Sequence, residues 1–140
     1  MEKREKRWLF VLLGIFLIVN IITLSPLVPW QEWQLWNKVE PTQTMLLEFG
    51  NYEIKLPDGG IVVKAGEYVE FQAISSDVTY GLGVFRQDNS MVFQMQVMPE
   101  KRNHIIWKFD EPGLYDIRST EYSGPKHSDM YVPDAIRVIE

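Results

Sequence analysis

The chain has 140 residues, 46% hydrophobic and 24% charged, with a net charge of −5. That composition suits one ordered domain with little chain to spare. The acidic balance argues against nucleic acid as a partner, because phosphate needs a basic face, and the absence of cysteine excludes disulfides, thiolate metal sites and cysteine nucleophiles.

The first seven residues, MEKREKR, hold four basic and two acidic groups, so the other 133 carry a net −7. Behind this tail (1–7) runs WLFVLLGIFLIVNIITLSPL, Trp8–Leu27, 20 residues without a charge. At about 1.5 Å per residue it spans roughly 30 Å, the thickness of a hydrocarbon core. Asn20 and Thr23 are its main polar interruptions. A cleaved signal peptide is the competing reading. Its apolar stretch is usually about 7–15 residues, and LSPLVPWQEW offers no small-x-small cleavage site. The expectation is therefore an uncleaved, single-pass transmembrane helix over 8–27. The positive-inside rule leaves the amino end in the cytoplasm. Trp8 at one end, and Trp30, Trp33 and Trp36 at the other, read as interfacial belts, with Pro26 and Pro29 ending the helix.

A juxtamembrane linker, 28–42, includes NKVEPTQT. From residue 43 to 140 the period changes to short runs rich in Val, Ile, Phe and Tyr. In EYVEFQAI, Tyr68, Glu70 and Gln72 alternate with Val69, Phe71 and Ala73, the pattern of a half-buried strand. PDGG and KAG read as turns. MVFQMQVM, NHIIWKF, GLYDIRS and DAIRVIE supply further strands, and no helical period is sustained after Trp36. The fold class is all-β: a Greek-key β-sandwich outside the cytoplasm behind one N-terminal helix.

Two blocks carry the chemistry. SSDVTYGLGV ends one strand and begins another. Further on, RSTEYSGPKHSDM has the spacing Ser-x3-Ser-x3-His-x2-Met. Together with VMPEKRNHIIWKFDEPGLYDI between them, these blocks resemble the cupredoxin domain of subunit II of haem-copper oxidases, in the short single-helix form of the ba-type enzymes. In that family the first block reads Asp-Val-x-His, and the second reads Cys-x3-Cys-x3-His-x2-Met. Those side chains hold the binuclear CuA centre. On this resemblance the family's first histidine falls on Tyr80 and its two cysteines on Ser119 and Ser123, while His127 and Met130 remain. Glu121 occupies the position whose backbone carbonyl is a family ligand and whose acidic side chain reaches a magnesium ion at the subunit interface. Pro99-Glu100 stands where the family has Pro-Gly.

Thiolates bridge the two coppers and suit soft Cu(I), whereas a serine hydroxyl is hard and neutral at ordinary pH. These vestigial positions are not expected to bind CuA. A lone carboxylate at Glu121 is a hard ligand for Mg²⁺ but no cage. The resemblance then implies a non-catalytic subunit II of a quinol-oxidising haem-copper terminal oxidase. The haems and CuB would lie in a partner subunit I, with small membrane subunits as further partners and no cofactor held by this chain itself. A subunit of a haem-copper nitric oxide reductase and a membrane-tethered mononuclear copper cupredoxin using His127 and Met130 are the alternatives. His104 reads as an exposed residue at a strand start. Met91, Met95 and Met98, spaced by four and three, do not share one strand face, so core packing or edge exposure explains them better than copper. The anchor reading predicts that mass spectrometry of the mature chain finds Met1 or Glu2 at its amino end. A terminus near Trp30 would mean cleavage.

Overall fold

The structure, a computed structural model, describes residues 2–28 and 39–140. The chain divides into an N-terminal part and a β unit beginning at Val39. In the N-terminal part, helix α1 covers Lys3–Leu24. It therefore takes in most of the basic tail and stops short of the expected end at Leu27. Glu5 starts it by accepting from the Glu2 amide at 2.8 Å, a capping-box contact. It stops because Ser25 precedes Pro26, whose ring disfavours helical backbone at the residue before it; Ser25 is extended, with ψ 125°. The helix is long and apolar enough to cross a membrane, and none of its side chains is buried. Pro29, Trp30, Trp33 and Trp36, with most of the expected linker, lie outside the described residues.

The β unit holds nine strands: β1 (Gln43–Gly50), β2 (Glu53–Lys55), β3 (Ile61–Lys64), β4 (Tyr68–Ser75), β5 (Tyr80–Arg86), β6 (Met91–Val97), β7 (Asn103–Lys108), β8 (Gly113–Arg118) and β9 (Tyr131–Ile139). They form two sheets, ordered β2-β1-β4-β7 and β3-β9-β8-β5-β6. β1 lies parallel to β4 and β3 parallel to β9; the other pairs are antiparallel. The sheets close on one apolar layer. Val69, Phe71 and Ala73 face it from β4, Leu82 and Val84 from β5, and Ile136 and Val138 from β9. The alternation read in EYVEFQAI is this inward face. Phe71, Phe93, Phe109 and Tyr115 form a ring-on-ring cluster with centroids 4.9–6.4 Å apart, the spacing of favourable aromatic pairs.

β9 begins at Tyr131, earlier than the DAIRVIE stretch suggests. Tyr131 and Val132 pair with Arg118 and Ile117, and then the register shifts before Ile136 meets Tyr115. Pro133 falls in that bulge, where a missing amide hydrogen costs no ladder bond. Two further departures from ideal backbone sit in turns. Asn51 and Tyr52, with φ 49° and 61°, join β1 to β2 as a two-residue hairpin whose twist needs positive φ at both positions. Glu100 has φ 61°, a left-handed backbone at the position where the resembled family has glycine.

The bulge also organises a polar cluster. Asp116 is only 5% exposed. Its carboxylate accepts from the Tyr131 hydroxyl at 2.8 Å, the Asp134 amide at 2.9 Å and Gln87 Nε2 at 3.2 Å. Arg118 lies 3.8 Å away, stacked between the rings of Phe85 and Tyr131 at 5.0 and 4.8 Å. Burial pushes the Asp116 carboxyl up, but the donors outweigh it and hold it below the usual carboxylate range. Since the folded value lies below the unfolded one of about 3.9, the stabilisation is full at neutral pH. It is lost as the pH falls below about 4 towards the folded value. Asp116→Asn should cost about 1–3 kcal/mol at pH 7, and the variant should lose less stability than the parent between pH 7 and pH 3. Thermal unfolding across that range checks both.

Candidate functional site

The two sequence blocks meet at one end of the sandwich. β5 starts at Tyr80, and the segment between β8 and β9, residues 119–130, is laid across those first residues of β5. The Ser119 hydroxyl accepts from the Gly81 amide at 3.3 Å, and the Thr120 amide donates to the Gly81 carbonyl at 3.3 Å. This close approach requires glycine. A Cβ on Gly81 would stand 2.8 Å from the Glu121 amide nitrogen and 2.9 Å from that of Thr120, and a Cβ on Gly83 would stand 2.4 Å from the Thr120 methyl. The spacing Tyr80-Gly81-Leu82-Gly83 therefore gives β5 an inward face of Tyr80 and Leu82 and an outward groove that the loop fills.

Within the loop, Ser119, Ser123 and Met130 converge. The Ser119 amide donates to the Met130 carbonyl at 3.1 Å, and the Ser119 hydroxyl donates to the Glu121 carbonyl at 3.4 Å. The Ser123 hydroxyl donates to Met130 Sδ at 3.8 Å. Met130 is buried, 3% exposed. A short 3-10 turn, His127–Asp129, leads into it. The His127 ring lies 5.9 Å from that of Tyr122, and its Nδ1 is enclosed without a hydrogen-bond partner among the described residues. The Glu121 side chain turns aside and accepts from Gln96 Nε2 at 3.2 Å.

Tyr80 behaves differently from the other aligned positions. Its side chain is fully buried, with its ring 5.8 Å from that of Phe49. Its hydroxyl points to the turn before β5, donating to Asp77 Oδ2 at 3.0 Å and accepting from the Tyr52 amide at 3.4 Å. Asp77 also accepts from the amides of Asn51 and Val78, each at 2.8 Å. Burial pushes Asp77 up, but these amides and the hydroxyls of Tyr80 and Ser75 hold it below the usual range. Burial, followed by the bond to Asp77, raises the Tyr80 phenol. Tyr52 completes the lash: a Cβ on Gly124 would meet its hydroxyl at 2.0 Å, so the Tyr52 ring sits directly on the loop.

The sequence pattern assigns no role to Asp77 or Tyr52. Asp77 carries a signal, since Ser-Ser-Asp before a strand is an Asx-turn pattern. Tyr52 carries none, because nothing in the sequence says that a bulky residue will hold a left-handed φ. His104 is exposed at the start of β7, as expected. A cleft of about 420 Å³ at the ends of β1, β2 and β4, lined by Glu48, Glu53, Lys55 and Ser75 among others, contains none of the aligned positions.

The donor set does not fit a binuclear copper centre. It offers no thiolate, both serine hydroxyls are engaged in hydrogen bonds, and the Tyr80 hydroxyl is tied to Asp77. Among the described residues, no three His, Cys, Asp or Glu side chains converge as a metal site. What remains for a soft ion is the His127 imidazole and the Met130 thioether.

No family model matches the sequence, and no curated protein matches it. Solved structures match the fold. A heme-copper terminal oxidase dimer studied by cryo-EM superposes with a TM-score of 0.56 at 17% identity, covering 96% of this chain and 95% of that one. The periplasmic domain of subunit II of cytochrome oxidase (CoxB) of Bradyrhizobium japonicum gives 0.54 at 19% identity, over 73% of this chain and 87% of that one. Auracyanin B gives 0.59 at 10% identity, over 74% and 94%. The fold is cupredoxin-like, with one helix in front of it.

Tyr80→Phe should cost about 1–3 kcal/mol, because it removes the bond to the Asp77 carboxylate and the acceptor of the Tyr52 amide. Chemical denaturation measures this. The fragment 39–140 should take up no copper with a binuclear, mixed-valence EPR signal. The triple variant Tyr80→His, Ser119→Cys, Ser123→Cys should acquire that signal. A parent chain that shows the signal would contradict the reading of this loop, whereas a triple variant without it would mean that the loop, with position 80 turned towards Asp77, has remodelled.

Proposed function

We propose that the chain is a membrane-anchored, non-catalytic subunit II of a quinol-oxidising haem-copper terminal oxidase, with the CuA site lost. One observation supports the reading: a cupredoxin-like fold whose apical loop draws Ser119, Ser123 and Met130 together by hydrogen bonds, in a stretch whose spacing resembles the CuA loop but has hydroxyls at the two cysteine positions. Two of the similar structures support the setting, one from a terminal oxidase and one from a cytochrome oxidase subunit II. The first of them covers this chain almost throughout.

In this reading α1 anchors the chain with its basic end in the cytoplasm, and the β unit lies outside. The haems and CuB belong to subunit I, where oxygen is reduced and protons are moved. Nothing in the hydroxyl-lined loop can accept and pass on an electron, so a soluble donor docking here would meet no relay. Quinol dissolved in the bilayer reaches subunit I without one. Glu121, which accepts from Gln96 Nε2, would offer a single hard ligand for magnesium at a junction with subunit I.

A second reading keeps one observation in its favour. The enclosed His127 Nδ1, without a partner among the described residues and in the same loop as Met130, is the kind of nitrogen that a single copper ion would take. Stoichiometric, tight copper binding by the unmodified chain would favour that mononuclear site.

Purification through a tag on this chain should bring down a haem protein. The complex should consume oxygen with a reduced quinol and be nearly inactive with reduced cytochrome c. Rapid turnover with cytochrome c and none with quinol would overturn the proposal, and nitric oxide reduction without oxygen reduction would move it to the related reductases.

A further inference from the structure

Helix α1 presents one polar stripe. Asn20 and Thr23 are three residues apart, so they lie on one face, and Phe16 and Leu13 continue it towards the amino end. The opposite face, through Val11, Gly14 and Ile18, is wholly apolar. Asn20 stands twelve residues beyond Trp8, about 18 Å along the helix, a depth inside a hydrocarbon core of roughly 30 Å. Thr23 spends its hydroxyl hydrogen on the Val19 carbonyl at 2.7 Å. Asn20 spends one amide hydrogen on the Phe16 carbonyl, also at 2.7 Å. Its second amide hydrogen and its Oδ1 form no hydrogen bond among the described residues. Water would satisfy them at a surface, but at this depth there is none, and a polar group left in lipid is costly. Polar side chains in spanning helices therefore turn to protein.

We infer that the Asn20–Thr23 face of α1 packs against a transmembrane helix of the haem-bearing subunit, which offers Asn20 a side chain that can both give and take a hydrogen bond: an amide, a hydroxyl or an imidazole. This rests on the membrane-anchored reading above and adds to it which face is buried and by what chemistry. Val11, Gly14 and Ile18 then face lipid.

The test uses the full chain in its own membranes. A photoreactive phenylalanine analogue is placed singly at 13, 16, 20 or 23, and at 11, 14 or 18 on the other face, and the membranes are irradiated. Adducts to the haem-bearing polypeptide should form from 13, 16, 20 and 23 and be absent from 11, 14 and 18. Adducts peaking on the opposite face, adducts of twice this chain's mass, or no adduct from a chain that resists carbonate extraction would each overturn the inference. A chain that carbonate releases would overturn the anchor reading itself, and this inference with it. In parallel, Asn20→Leu should lower the haem protein recovered with the tagged chain about threefold or more, the scale of an interhelical hydrogen bond, while Asn20→Gln should retain it. Equal recovery with all three chains would also overturn the inference.

Discussion

The apex of the sandwich depends on the contact between residues 119–120 and the start of β5. The Gly81 amide and carbonyl both bond into the loop, one to the Ser119 hydroxyl and the other to the Thr120 amide. The contact is possible only because positions 81 and 83 lack side chains. The loop is thus tied to β5 by one side-chain and one backbone hydrogen bond. The same contact sets the register at which β8 leaves the sheet, and Ser119 then bonds across to Met130, where β9 begins.

A second tie holds the other side of β5. Tyr80 fills its buried place with an aromatic ring and hands its hydroxyl to Asp77, away from the loop. Asp77 in turn gathers the amides of Asn51 and Val78, which fixes the β1–β2 turn in its left-handed form. That turn carries Tyr52 onto Gly124. The chain thus links a buried phenol, an exposed carboxylate, a strained turn and the apical loop. Left-handed backbone at a bulky residue costs free energy and persists only where its surroundings hold it. Here the bond from the Tyr52 amide to Tyr80 does so. These are the features expected of a cupredoxin apex stabilised by organic side chains, and they give physical content to the proposal that a structural and docking role outlived an electron-transfer one.

Much of this was legible in the sequence. Alternation in EYVEFQAI located β4 and its buried face. The unbroken Ser-x3-Ser-x3-His-x2-Met spacing marked the loop, and the uninterrupted apolar run marked α1. The departures follow from local chemistry that pattern does not weigh. Pro26, legible in the sequence as a helix stop, ends α1 through its effect on Ser25, three residues before the apolar run closes at Leu27. Pro133 concealed the first residues of β9, because a proline argues against a strand unless a bulge receives it. Asp77 and Tyr52 acquire meaning only when β1 and β5 are brought together from distant parts of the chain. The cluster of Asp116, Arg118 and Tyr131 was hidden for the same reason, since its members are joined by sheet pairing and not by spacing.

If the apical loop folds through its own hydrogen bonds, it should hold its shape without a metal. Amide hydrogen exchange on the chelator-treated chain, with and without added copper, reads this at single residues. The amides of Ser119, Thr120 and Met130 each donate within the apex, so they should be protected in the metal-free protein, and copper should not change that protection. Free exchange at these amides without copper, with protection appearing only on its addition, would contradict the account.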